Sequence, residues 1–217
     1  MPTIVIAGSN TDVGKTHVTA ALARELSGLG SMQVIKPVET GVATAGEGDV
    51  EWVSKFCDSS IDTHTLLRFD TPMAPVAAAA LEGVDLTLDK ILEAYHALPA
   101  AEWRLVEGAG GIASPLSSRG EDLRDFAVKV QADAIILVVE DRLGAITQAR
   151  VNHAYAAVSG LPVWLWLNEV TEQDAQIRTS NHEGIAAFKL PLCATTDHGG
   201  GVINWLQPPL WLKPLTA

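Results

Sequence analysis

Gly8-Ser9-Asn10-Thr11-Asp12-Val13-Gly14-Lys15-Thr16 decides the fold of this chain. An apolar run, Ile4-Val5-Ile6-Ala7, precedes it, and a stretch with helical spacing follows. A glycine turn between a buried strand and a helix start is a phosphate-binding loop. Backbone N–H groups of the turn and of the helix N-terminus converge on phosphate oxygens. Gly14 lets the backbone approach closely, Lys15 brings a point charge to the β- and γ-phosphates, and Thr16 offers a hydroxyl to Mg2+. Ser9 stands where the commonest form of the loop has its first glycine. An ordinary glycine turn does not account for Gly-Lys-Thr at a helix start, so the expected ligand is a nucleotide.

The flanking sequence extends this to an architecture. Residues 3–7 read as a strand buried on both faces. Val18, Ala21, Leu22, Leu26 and Leu29 repeat with helical spacing, and Gly30 stops the helix. Further strands are expected over 32–35, 104–106, 134–139, 163–167 and 185–190, and helices over 49–57, 88–98, 123–130 and 146–159. Residues 41–49 read as a mobile loop, 62–76 as irregular, and 207–214 as an irregular tail. Strands alternating with helices predict an α/β fold, a three-layer, mostly parallel sheet of the P-loop NTPase type, as one domain over residues 1–217. Ligands in such sheets bind at the carboxyl ends of strands. Gly8–Thr16, Lys36–Gly41, Glu107–Gly111 and Asn168 each follow an expected strand.

Composition excludes several classes. The chain has 217 residues, of which 47% are hydrophobic and 19% charged, enough for a large core and too apolar for intrinsic disorder. A net charge of −11 argues against a nucleic-acid surface, which needs clustered Lys and Arg. No basic leader and no apolar run of membrane-spanning length is present, so a cytoplasmic protein with no membrane partner is expected. Cys57, Cys193 and the six histidines lack metal-ligand spacing. His198-Gly-Gly-Gly201 has no Gly-x-Ser-x-Gly nucleophile to accompany it, which excludes that hydrolase chemistry.

Three groups carry open alternatives. Glu107 ends an apolar stretch and is either a Mg2+ ligand or a capping or solvated carboxylate. Mg2+ takes few carboxylates besides phosphate oxygens and water, so Thr16, Glu107 and Asp49 would suffice. Lys36 either faces the reacting centre beside the phosphate loop or is a solvated edge lysine. Asn168 is either a buried amide satisfied by backbone or a reader of a base edge.

The motifs Gly8-x-x-Thr11-Asp12-Val13-Gly14-Lys15-Thr16, Lys36-Pro-Val-x-Thr40-Gly41, Val106-Glu-Gly-Ala-Gly-Gly111, Ser114-Pro-Leu116 and Leu143-Gly144 occur in that order. As a set, spread over most of residues 3–168, they resemble the dethiobiotin synthetase family. The resemblance implies a phosphate-loop α/β homodimer that forms dethiobiotin from 7,8-diaminopelargonic acid, CO2 and ATP with Mg2+. The path runs through a carbamate and a carbamic-phosphoric anhydride. It implies that Lys36, Lys15, Thr11 and Asp12 surround the carbamate and γ-phosphate, with Thr40 on the substrate, and that Thr16, Asp49 and Glu107 hold the metal. The nucleotide would lie against Asp12, Val13, Gly14, Lys15, Thr16, His17, Asp49, Glu107, Gly108, Ala109 and Gly110. Asn168, with Glu169, would read the base, and Pro191-Leu192 would line it. Gly144, Ala145, Ile146 and Thr147 would receive the far carboxylate of the substrate from the other subunit. Ser9-Asn10, Val76 and Thr147 depart from the family's usual residues, and the C-terminal third diverges.

A nucleotide-dependent switch of the partition or site-placement ATPase type shares these features. Such switches usually carry an extra lysine early in the loop, and residues 9–13 contain none. A small-molecule kinase would need an arginine-rich lid, whereas Arg119, Arg124 and Arg142 are scattered.

Overall fold

The computed structural model describes residues 2–42, 46–57, 61–199 and 201–209. Parts of the expected loop over 41–49 and of the tail over 207–214 lie outside them. In chain order the elements are β1 (Thr3–Gly8), α1 (Lys15–Leu26), β2 (Met32–Thr40), α2 (Asp49–Phe56), β3 (Asp62–Phe69), α3 (Pro75–Leu81), α4 (Leu88–His96) and β4 (Trp103–Glu107). The second half adds α5 (Leu123–Lys129), β5 (Ala134–Glu140), α6 (Ala145–Ala157), β6 (Val163–Asn168), α7 (Ala175–Ala187), β7 (Leu192–Thr196) and β8 (Ile203–Trp205). The strands form one sheet in the order β3-β2-β4-β1-β5-β6-β7-β8. All neighbours are parallel except the last pair, β7 and β8.

β1 shows why the strands read as unbroken apolar runs. Ile4 and Ile6 point to one face, against Val18 and Leu22 of α1. Val5 and Ala7 point to the other, in the same core as Ile91, Phe126 and Ala149 of α4, α5 and α6. Helices cover both faces, so the positions from Ile4 to Ala7 are all apolar. The result is the expected three-layer fold.

Chain order places the crevice. From β1 the chain moves outward to β2 and β3, then returns to lay β4 between β2 and β1, and finally proceeds through β5 on the opposite side. The loops after β1, β2 and β4 therefore diverge at the centre of the sheet, where ligands bind in open α/β folds.

β2 is longer than the sequence pattern indicated. Its pairing with β4 ends at Ile35–Val106, while its pairing with β3 continues to Thr40–Phe69. Lys36 is thus inside a strand, not after one, one position beyond its last pairing with β4 and level with Glu107, the final residue of that strand. Pro37, with no N–H to give, falls in the stretch that β4 no longer accompanies.

Two further expectations are corrected. Residues 62–76 are not irregular: they hold β3 and the start of α3, with Pro75 in the first turn. β3 is an edge strand, so its side chains are mostly half-buried and its Thr-His-Thr start lacks the apolar signature of the central strands. Residues 185–190 are not a strand. They close α7, which Asp174 caps through the Gln176 N–H. The last parallel strand is β7, from Leu192. Gly184 lies inside α7 because a Cβ there would stand 2.3 Å from Ile146 Cδ1, and this close packing of α7 on α6 hid the helix from its sequence.

Candidate active site

The phosphate loop is tied together by its own backbone and by β6. Gly14 caps α1 with φ +84°, a conformation that glycine adopts without strain. A Cβ there would also lie 2.0 Å from Asn168 Nδ2. That amide nitrogen donates to Val13 O at 3.0 Å, and Asn168 Oδ1 accepts from the Thr196 hydroxyl at 2.5 Å. Asn168 is therefore a buried amide satisfied by the protein, and it holds the loop from below. Asp12 also takes a left-handed conformation, φ +59°. Val13 turns its side chain into the core beneath α1.

Above the loop, four charged side chains and a hydroxyl converge. Lys36 Nζ donates to Glu107 Oε1 at 2.8 Å, to Asp49 Oδ2 at 2.5 Å and to Gly108 O at 3.3 Å. The Thr16 hydroxyl donates to the same Glu107 Oε1 at 2.9 Å. Lys15 folds back over the loop to Asn10 O at 3.2 Å. Glu107, the last residue of β4, has no solvent exposure. Its second oxygen, Oε2, is buried without a hydrogen-bond partner.

Electrostatics follow from this crowding. Burial, reinforced by the positive charge of Lys36, lowers Lys15 to about 8, against the pull of Glu107, Asp49 and Asp12. Burial also opposes a charged Lys36, but the carboxylates of Glu107 and Asp49 outweigh it and raise its pKa above the ordinary lysine value. Burial would raise Asp49 as well, yet Lys36 outweighs burial and lowers it. The centre sets two lysines against two carboxylates, with Glu107 and Lys36 buried and Asp49 at the mouth, its side chain 43% exposed.

A cleft of about 560 Å³ opens over these groups. Thr11, Asp12, Gly14, Lys15, Thr16, His17, Lys36, Thr40, Asp49, Glu107, Ala109 and Gly110 line it, so most of the expected site residues meet. Gly108 lends its carbonyl to Lys36. Glu39, Val42, Trp52 and Val170 also line the cleft, and sequence reasoning missed them. The one available signal was an acidic residue three places after Lys36 in a strand otherwise free of acids.

Some expected residues lie elsewhere. Gly144 and Ala145 stand on the other side of the phosphate loop, in a recess of about 150 Å³ shared with Ser9 and Asn10. Ile146 packs against Gly184, and Thr147 is exposed. Glu169 accepts from the Gln173 and His198 N–H groups and pairs with Arg178, in a separate recess. Pro191 and Leu192 do not reach the cleft. β7 runs parallel to β6, so Leu192 pairs near the middle of β6, and Thr196 reaches the carboxyl edge beside Asn168.

The donor set suits a hard divalent cation. Oε2 of Glu107 is an orphaned buried acceptor, Asp49 stands beside it across Lys36, and the Thr16 hydroxyl completes an all-oxygen group. Among the described residues, no cluster of three His, Cys, Asp or Glu side chains is placed to hold a metal alone. Mg2+ needs no such cluster when phosphate oxygens and water complete its shell.

Comparison with known proteins bears on this site. A family model described as an AAA domain matches residues 2–191. The ATP-dependent dethiobiotin synthetase BioD of Aquifex aeolicus (strain VF5) is 35% identical over 199 residues, covering 87% of this chain and 88% of that protein. The protein of the same name from Rhodococcus erythropolis is 32% identical over 209 residues, covering 93% and 90%. That from Mycobacterium avium (strain 104) is 34% identical over 207 residues, covering 94% and 90%. Among solved structures, the signal recognition particle receptor FtsY from Elizabethkingia anophelis superposes with a TM-score of 0.59 at 16% identity, over 95% of this chain and 62% of that one. The 54 kDa signal recognition particle protein of Aeropyrum pernix K1, in complex with GDP, gives 0.57 at 12% identity, over 99% of this chain and 46% of that one. At these identities the two structures share the fold alone.

Proposed function

The chain belongs to the dethiobiotin synthetase family, and we propose that the cleft above Gly8–Thr16 joins a vicinal diamine, CO2 and ATP into a cyclic urea. The enzyme is an ATP-dependent dethiobiotin synthetase, with ATP as co-substrate. The observation that carries the site assignment is Lys36, held at 2.5 Å and 2.8 Å between Asp49 and Glu107 in the wall of the cleft beside the phosphate loop.

In the proposed sequence, one amine of 7,8-diaminopelargonic acid attacks CO2 and, with loss of a proton to solvent, becomes a carbamate. A carbamate oxygen then takes the γ-phosphoryl group as the bond to ADP breaks. The second amine attacks the carbamic carbon, loses its proton and expels phosphate, closing the ring. Negative charge gathers at each stage. Lys36 and Lys15 neutralise it from two sides, and the N–H groups at the start of α1 receive phosphate oxygens. Thr11, Asp12 and Thr40 line the space the carbamate would occupy. Mg2+ would be held by Thr16, Asp49 and Glu107, where it supplies positive charge to phosphate oxygens.

The protein is proposed to act as a homodimer. α6 buries Ala145, Ala149 and Ala156 against its own sheet, yet exposes Val151, with Leu143 just before the helix and Val158 just after it also exposed. A helix apolar on two faces fits a second partner surface. Pairing of α6 with its copy would bring Gly144–Thr147 toward the opposite cleft, where the helix N-terminus can hold the far carboxylate of the substrate. We read residues 1–217 as one domain, because every strand among the described residues joins one sheet. No helix among the described residues is long and apolar enough to cross a membrane, and action in the cytoplasm is proposed on that basis.

Purified protein supplied with the diamine, bicarbonate, ATP and Mg2+ should yield dethiobiotin by mass spectrometry, with ADP release dependent on the diamine. ATP hydrolysis indifferent to the diamine, with no ring product, would overturn this reading.

A further inference from the structure

Glu39 lines the cleft, is only 3% exposed, and has no part in the chemistry set out above. Its carboxylate accepts the Asp49 backbone N–H at 2.6 Å, at the first residue of α2. Arg68, its register partner on β3, pairs with it at 2.8 Å and with Glu51 at 2.7 Å. Glu51 in turn accepts the Gly48 N–H at 3.0 Å. One arginine on an edge strand thus holds two carboxylates, and each carboxylate holds one N–H at the start of α2. Gly48 leaves the room: a Cβ there would lie 2.2 Å from Glu39 Oε2.

We infer that Glu39 is a positioning residue for the reaction, fixing the start of α2 so that the Asp49 carboxylate stays on Lys36. Three features make the arrangement more than a local cap. The acceptor comes from the same strand as Lys36, so one rigid element sets both ends of the Lys36–Asp49 contact. The first turn of α2 carries no side-chain cap from residue 48, a glycine, and the distant carboxylate takes that place. Finally, the Glu39 carboxylate stands at the N-terminal end of α2, where an acceptor satisfies a helix N–H that has no partner within the helix. The inference rests on the roles given above to Asp49 and Lys36.

Glu39→Ala, Glu39→Gln and Gly48→Ala test it, with hydrogen exchange at the Asp49 amide read beside steady-state turnover. Glu39→Ala removes the acceptor and should deprotect the Asp49 amide and lower kcat about 10- to 100-fold, the usual loss when a supporting residue behind a site is removed. Glu39→Gln keeps an oxygen for the same N–H and should retain both the protection and turnover close to that of the parent protein. Gly48→Ala displaces the carboxylate without deleting it and should behave like Glu39→Ala. Unchanged protection in Glu39→Ala, or equal loss in Glu39→Ala and Glu39→Gln, would overturn the inference. Asp49→Ala, measured in parallel, separates it from the reading it rests on. Full turnover in Asp49→Ala would overturn the role of Asp49, and loss there with full turnover in Glu39→Ala would overturn the role of Glu39 alone.

Discussion

Lys36 and Glu107 form an ion pair of 2.8 Å between neighbouring strands, with side chains 4% and 0% exposed. Neither charge has bulk water to return to. The pair therefore joins stability to chemistry at one point.

Lys36→Ala should lower turnover by about 10²–10³, the cost of losing one preorganised charge donor. It should also destabilise the fold by roughly 3–5 kcal/mol, because Glu107 is left buried and uncompensated. Urea denaturation checks the second effect. The double variant Lys36→Ala/Glu107→Gln should recover part of the stability while remaining inactive. Strict additivity of the two single changes would show that the pair is not coupled.

For the metal, Glu107→Gln and Asp49→Asn should each raise the Mg2+ concentration needed for half-maximal nucleotide binding. The effect on the choice of base should be small. Calorimetric titration of nucleotide at several Mg2+ concentrations gives the comparison. Unaltered Mg2+ dependence in both variants would remove these carboxylates from the metal site.

Asn168 spends its amide on Val13 O and Thr196, not on open space. Asn168→Ala should therefore loosen the phosphate loop and raise KM for ATP, CTP and GTP by similar factors. A selective change for one nucleoside triphosphate would show instead that Asn168 reads the base.

On the outer face of α6, Val151 is 63% exposed, and Val158, the C-cap residue, is 75% exposed. Val151→Asp should produce monomers in sedimentation velocity and depress turnover through a higher diamine KM, leaving nucleotide binding nearly intact. A fully active monomer would refute a site shared between subunits.

Much of this was legible in the sequence, for identifiable reasons. Strands β1, β5 and β6 are apolar because they are covered on both sides, and the Gly-Lys-Thr turn has few other uses. Lys15, Thr16, Lys36, Asp49 and Glu107 are recognisable from residue type and order. β3 and α7 were not, because an edge strand tolerates His and Thr, and α7 buries little besides Asn181 and Ile185. Glu39 and Arg68 escaped because their contact depends on strand register, which brings together positions far apart in the chain. Pro191-Leu192 stands at the start of β7, away from the carboxyl edge of the sheet that Thr196 reaches, and residue type alone does not fix a position along a strand.

The single oxygen Oε1 of Glu107 serves both Thr16, on the nucleotide side, and Lys36, on the side toward Thr40. A ligand that draws the Thr16 hydroxyl away leaves Lys36, among the described residues, as the one donor to that oxygen. Linkage then works in both directions: whatever affinity nucleotide gains from an occupied amine site, the amine gains from nucleotide by the same factor. Any coupling between the two substrates would thus pass through one shared acceptor at the end of β4.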